Sequence, residues 1–256
     1  IPRVPFQQMI ADPAAAWLSE RQVTLKLGTK VNSLLLKDSR IRAVDTAEGE
    51  IAARNFIVAV PPLELMRILP TEFRKDGFFK PATAFSYSSI AALHLDYDRV
   101  VLTDAVAGTP QRLTQWILGR GLPKREGWSR LSAVVSAAPD KSEMSSIDMT
   151  AHLINDIQTV LPLAARDRII NQRLIRNSRA TVLLSPGSSE NRLPAVTPVE
   201  NLFLAGDWTQ SDLPATIESA ARSGWRAVIL SCIQTYTNVP SNVPFDAILP
   251  AVKRDV

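Results

Sequence analysis

Asn201-Leu202-Phe203-Leu204-Ala205-Gly206-Asp207-Trp208-Thr209-Gln210-Ser211-Asp212-Leu213-Pro214-Ala215-Thr216-Ile217-Glu218-Ser219-Ala220-Ala221-Arg222-Ser223-Gly224 is the stretch on which the fold turns. Asn201 to Ala205 is a short apolar run of the kind that forms a buried strand. Gly206 allows an unusual dihedral or a close backbone approach. Asp207 then puts a carboxylate at the carboxyl end of a strand, where open α/β sheets bind their ligands. A carboxylate only accepts hydrogen bonds, which suits sugar-type hydroxyls. A helix is expected from about Pro214 to Cys232. Its first turn offers free N–H groups and a positive dipole end, suited to an electron-rich carbonyl or an anion. Ala220, Ala221 and Gly224 keep one helix face small enough to pack close to a sheet or a ligand. An ordinary junction in which Asp207 caps its own loop has the same spacing, so the pattern alone leaves both readings open.

Upstream, Asp12 to Arg21 reads as a short helix with Asp12 as N-cap and Pro13 at its first position. Val23 to Leu27 alternates apolar and polar residues as a strand does, and Gly28-Thr29-Lys30 is a turn. Val31–Leu36 and Ile41–Val44 are two more strands, separated by the polar Lys37-Asp38-Ser39-Arg40; Glu48-Gly49 turns the chain again. Phe56 to Val60, closed by Pro61-Pro62, suits a strand buried on both faces. Beyond it, a short helix over Leu63–Leu69 precedes strands at Ser88–Asp96, Leu113–Leu118 and Leu131–Ala137. A helix over 146–161, with Ile147, Ala151, Ile154 and Ile157 on one face, is followed by a strand at Ile169–Ile175 and a polar loop at 185–191. The chain thus leaves one sheet after Pro61 and returns to it near Val199, with an inserted domain between.

Composition narrows the classes. In 256 residues, 46% hydrophobic content with 21% charged predicts a packed core rather than disorder. The net charge of +4 is scattered over arginines without interleaved aromatics, which argues against nucleic-acid binding and for a solvated surface. It also suits contact with an anionic membrane surface or a dinucleotide phosphate. A single cysteine, Cys232, forms no internal disulfide and fits a reducing compartment. Two histidines, His94 and His152, with that cysteine make no conventional zinc cluster; His94 reads as structural. There is no phosphate-binding P-loop, no nucleophile elbow and no apolar run of membrane-spanning length. Trp116, Trp128, Trp208 and Trp225 read as packing residues, although Trp208, next to Asp207, is also placed to flank a bound ring. The opening Ile1-Pro2-Arg3, without Met or signal-peptide blocks, is the start expected of a fragment or a processed product.

Leu202-Phe-Leu-Ala-Gly-Asp-Trp-Thr209, Leu213-Pro-Ala-Thr-Ile-Glu-Ser-Ala220 and Arg222-Ser-Gly224 closely resemble the C-terminal FAD signature of squalene-associated desaturases. These are also called hydroxysqualene dehydroxylases and are relatives of phytoene desaturase and the flavin amine oxidases. Arg179-Ala-Thr181, Val58-Ala-Val-Pro-Pro62 and Leu27-Gly-Thr-Lys-Val31 are similar to further stretches of that family. The resemblance implies an α/β (α+β) fold: the C-terminal part of an FAD/NAD(P)-binding fold with an inserted mixed-sheet substrate domain. Residues 1–61 would be partial FAD domain, 62–198 the insertion, 199–235 the return and 236–256 a tail. It implies an FAD-dependent oxidoreductase acting on an apolar squalene-type or carotenoid-type isoprenoid, cytoplasmic or peripheral to the inner membrane. By the same resemblance Gly206, Asp207 and Trp208 lie at the flavin. Asp207 would hold a ribityl hydroxyl, and Pro214, Ala215, Thr216 and Ile217 would put a helix end at the N1/C2 carbonyl side. Backbone at Val31 would touch adenine. No catalytic residue and no metal is assigned. The family also opens its cofactor domain with G-x-G-x-x-G, absent here; Gly119-Arg120-Gly121, with Lys124 in the third position, is the nearest case. This chain by itself is therefore expected to hold FAD weakly or not at all, to be inactive alone, and to self-associate through exposed apolar surface. An amine-oxidase-like flavoenzyme and a noncatalytic module remain the competing readings.

Overall fold

The computed structural model describes residues 4–120, 128–183 and 185–237. The chain divides into two compact units: Ser86–Val182, and the residues before and after that stretch. The inserted unit is thus narrower than 62–198. Residues 62–85 and 183–198 stay with the flanking unit because their bonds are there: Leu204 N–H donates to Ala195 O (2.8 Å) and Gln210 N–H to Leu193 O (2.9 Å).

In the flanking unit a π-helical turn, Gln7–Ala11, runs into helix α1 (Asp12–Glu20). Asp12 is therefore inside a continuous helical stretch rather than its cap, and it accepts a bond from Gln7 Nε2 (3.2 Å). Val23–Leu27 is not a strand: among the described residues no strand pairs with it, and alternation alone does not satisfy a strand's N–H and C=O groups. β1 (Val31–Lys37), β2 (Arg40–Thr46) and β3 (Gly49–Ala52) form an antiparallel sheet of their own. Asp38 and Ser39 both take positive φ, +50° and +63°, in the two-residue turn that joins β1 to β2. Paired positive dihedrals match the right-handed twist of the flanking strands.

β4 (Phe56–Val58) pairs in parallel with β10 (Leu202–Leu204), Leu202 opposite Phe56 and Leu204 opposite Val58. The two apolar runs expected to share a sheet do so. The expectation of burial on both faces of the first run fails: Phe56 and Val58 are buried, while Ile57 is 39% exposed. Helices α2 (Pro62–Ile68) and α3 (Thr71–Arg74) follow β4. The last helix, α5 (Ile217–Thr237), packs Ala227, Ile229, Leu230 and Ile233 against Phe203 and Ala205.

The inserted unit is a five-stranded antiparallel sheet in the order β6 (Val106–Gly108), β7 (Trp116–Arg120), β8 (Ser129–Ser136), β5 (Tyr87–Tyr97), β9 (Ile169–Val182). β6 has no clear sequence signal, and β9 runs seven residues past Ile175, carrying Arg179-Ala180-Thr181. Helix α4 (Ser146–Val160) covers one face, where Leu93, Leu95, Tyr97, Leu131, Met149, Leu153 and Ile157 form the core. Its buried face is only half the expected one: Ile157 and Ile154 face the core, while Ile147 and Ala151 do not. Ile147 is 82% exposed, and Asp156 turns inward in company with Met149, Leu153 and Ile157. The Asp156 carboxylate accepts from Thr114 N–H (2.9 Å) and Arg112 Nη1 (3.3 Å), so this acid is satisfied at the edge of the apolar stripe Met149, Leu153 and Ile157.

Candidate functional site

β10 delivers Gly206 and Asp207 at its carboxyl end. Gly206 has φ of +140°, and a Cβ built there would lie 2.7 Å from Trp208 Nε1 and 2.9 Å from its Cδ1. Its N–H donates to Ser223 Oγ (2.7 Å) on α5, and Ser223 Oγ donates to Ala220 O (2.7 Å). The strand end and the helix are thus bonded to each other. Trp208 is 2% exposed, donates its indole N–H to Val60 O (2.9 Å), and meets Phe85 edge to face at 6.1 Å. Packing therefore accounts for the Trp208 ring, and a place for that ring beside a ligand gives way to a core role. Asp207, half-buried, has no hydrogen-bond or ion-pair partner among the described residues.

α5 begins at Ile217, three residues later than expected. Thr216 is its cap: Ser219 N–H donates to Thr216 Oγ1 (3.3 Å) and Thr216 N–H to Ser219 Oγ (3.0 Å). This reciprocal pair uses one first-turn donor and leaves the N–H groups of Ile217 and Glu218 without a bond among the described residues. Pro214 and Ala215 precede the cap in the loop. The small face of the helix is not its packing face: Ser219, Ser223 and Ala227 are buried, and a Cβ at Gly224 would meet nothing within 4 Å. Val31 starts β1, and its carbonyl accepts from Arg67 Nη2 (3.2 Å). The structure thus ties Gly206, and with it the adjoining Asp207 and Trp208, to α5 at Ser223, in the second turn of the helix that the 214–217 turn opens.

Sequence reasoning passed over Ser223 and Arg192. Arg192 is buried and donates to carbonyls of the 209–213 loop, and no local pattern marks it. Ser223 lies within the decisive stretch, where a polar residue on the packed side of a helix is the available signal. His94 is structural as expected, its Nδ1 2.8 Å from Ser132 Oγ. Among the described residues no three metal-ligating side chains converge, and no helix is long and apolar enough to cross a membrane.

An unpaired carboxylate, a glycine that excludes a Cβ and two open helix-end N–H groups are donor and acceptor types that suit sugar-type hydroxyls and a carbonyl edge. The pattern of the flavin containing amine oxidoreductase family matches residues 2–229, and the chain belongs to that family. The hydroxysqualene dehydroxylase of Sinorhizobium fredii is 27% identical over 240 residues, covering 93% of this chain and 53% of its own length. A probable zeta-carotene desaturase of Synechococcus elongatus is 23% identical over 248 residues, covering 84% of this chain and 51% of its own. A solved oxidoreductase from Methanosarcina mazei superposes with a TM-score of 0.68 at 13% identity, over 86% of this chain and 53% of its own. That likeness gives the fold: part of an FAD/NAD(P)-binding fold. The chain spans about half the length of the curated relatives it matches.

Proposed function

We propose that this chain supplies the flavin-ring end and the substrate unit of an FAD-dependent oxidoreductase acting on an apolar isoprenoid of the squalene or carotenoid type. The observation that carries the cofactor part is the partnerless Asp207 carboxylate at the end of β10, a strand end that the Gly206–Ser223 bond ties to α5. Asp207 accepts from a ribityl hydroxyl, and the Ile217 and Glu218 N–H groups face the ring's carbonyl edge. Trp208 contributes by fixing the loop from the core side, and Val31 contributes backbone toward the adenine end. A bound flavin supplies two-electron chemistry.

Similarity to a hydroxysqualene dehydroxylase and a zeta-carotene desaturase favours an isoprenoid over an amine. By the strand registers the face of the inserted unit's sheet opposite α4 carries Ile90, Ala92, Leu118, Val134 and Ile175, interleaved with His94, Ser132, Ser136, Arg173 and Asn177. Its carboxylate, Asp96, is closed by Arg130, Nε to Oδ1 at 2.5 Å and Nη2 to Oδ2 at 2.8 Å, and so is not free to pair with an ammonium. The mildly basic balance adds a membrane-surface setting for such a substrate. This chain alone holds FAD weakly. One charge-assisted hydrogen bond gives roughly 1.5–3 kcal/mol, against about 4 kcal/mol or more of lost freedom on binding, and the sequence has no glycine-rich turn for the pyrophosphate. The exposed Leu27, Ile217 and Trp225 promote self-association.

The test is an absorbance titration with FAD together with turnover of hydroxysqualene and of putrescine. Weak, saturable FAD binding that Asp207→Ala removes is expected, with any turnover confined to the isoprenoid. Binding unchanged in Asp207→Ala overturns the cofactor site; turnover of the amine alone overturns the substrate class.

A further inference from the structure

Arg192 is 8% exposed, and among the described residues no carboxylate lies within ion-pair distance of it. A buried guanidinium must recover its lost hydration from some other acceptor. Here the acceptors are main-chain carbonyls. Nη1 donates to Leu213 O at 2.8 Å, Ser211 O at 3.3 Å and Thr209 O at 3.5 Å. Alternate carbonyls of one loop therefore converge on a single cation. Without that cation their oxygens would repel one another in a place with little water, and the loop would have to open.

The 209–213 loop joins Asp207 to the Thr216 cap. It is held from other sides as well: Thr209 N–H donates to Gly206 O (3.1 Å), Gln210 N–H to Leu193 O (2.9 Å), and Arg226 Nη1 to Gln210 O (3.2 Å). Arg192 is distinct among these in acting on three carbonyls at once and in sitting beneath the loop as a buried charge. We propose that Arg192 is a positioning residue for the flavin end of the site: its guanidinium fixes the loop so that Asp207 and the first turn of α5 keep one relative placement. It touches no ligand itself. This rests on the reading that Asp207 and α5 face a flavin.

The test uses the whole chain with two substitutions. Arg192→Met keeps the length of the apolar stem and removes every donor; Arg192→Lys returns a cation with three N–H donors. Hydrogen exchange followed by peptide should quicken about tenfold to a hundredfold over residues 207–216 in the Met variant, the loss expected for a bond to a charged group. Exchange in β4, β10 and the Ser86–Val182 unit should stay as it is, and Lys should restore most of the protection. FAD titration of the same proteins should show weaker binding for Met and recovery for Lys. Asp207→Asn should weaken FAD binding and leave loop exchange unchanged. Loop exchange that does not change in Arg192→Met, or that rises throughout the chain without recovery by Lys, overturns the clamp. If FAD binds and Arg192→Met binds it as tightly as the unaltered chain, the flavin reading stands and the positioning role falls. If the unaltered chain shows no saturable FAD binding, the positioning role toward a flavin falls, and the exchange data alone decide the loop clamp.

Discussion

Replacing Gly206 by Ala probes the joint between β10 and the Asp207 loop. Two costs add. The φ of +140° is one that L side chains rarely adopt, and the new Cβ would sit 2.7 Å from Trp208 Nε1. Positive-φ strain at a non-glycine residue costs about 1–2 kcal/mol. Forcing a methyl against a packed ring costs about 1–3 kcal/mol. Trp208 cannot swing aside freely, because its N–H is held by Val60 O and its ring is packed edge to face on Phe85. The sum is about 2–5 kcal/mol, a large part of the roughly 5–15 kcal/mol that stabilises a typical native protein. With a urea m-value near 2 kcal/mol per molar, the unfolding midpoint should fall by about 1–2.5 M. Gly187→Ala is the comparison: its φ is +81°, nearer the left-handed region than that of Gly206, and a Cβ there meets nothing within 4 Å, so only a strain of about 1–2 kcal/mol applies. Urea melts of both variants, with near-ultraviolet circular dichroism following the tryptophans, give the comparison. Equal midpoints for the two variants would refute the reasoning, because then the approach to Trp208 costs nothing.

Asn201, 2% exposed, accepts from Ile41 N–H (2.9 Å) and donates to Ile41 O (2.7 Å) and Arg54 O (2.9 Å), tying β2 to the start of β10. Asn201→Asp keeps the shape but faces two carbonyls with an acceptor, and should cost about 3 kcal/mol or more in a denaturant melt at neutral pH; wild-type stability would show that those two bonds are misassigned. In the inserted unit, hydrogen bonding from the Arg130 guanidinium holds the Asp96 carboxyl below its usual range against the opposing effect of burial, with the Arg130 charge, Asn171 and His94 adding to the lowering. A folded pKa below the unfolded value of about 3.9 means that this stabilisation is complete above that value and is lost as pH falls through the folded pKa. The stability gap between wild type and Arg130→Gln should therefore be flat near neutrality and close in acid; a gap that stays constant down to the acid transition would count against the pair.

Local chemistry made much of this legible from the sequence. The Leu202–Gly206 run, Asp207 and the helix beyond it are encoded by neighbours along the chain, and so is the β1–β2 turn, where polar Asp38 and Ser39 accept positive φ. Period and turn chemistry need no distant partner, which is why these elements and the family resemblance were readable. What burial and pairing decide was not. Val23 to Leu27 alternates like a strand yet pairs with no strand among the described residues. Asp156 is buried beside the apolar stripe of α4, and what satisfies it there comes from Thr114 and Arg112, far away in sequence. Trp208 could be read as flanking a ligand until Val60 and Phe85 were seen to enclose it. Arg192 looks like any surface arginine until the loop folds three carbonyls around it. A side chain's pattern fixes where its backbone can go; whether that side chain is buried, and what satisfies it there, is set by residues the chain brings back from elsewhere.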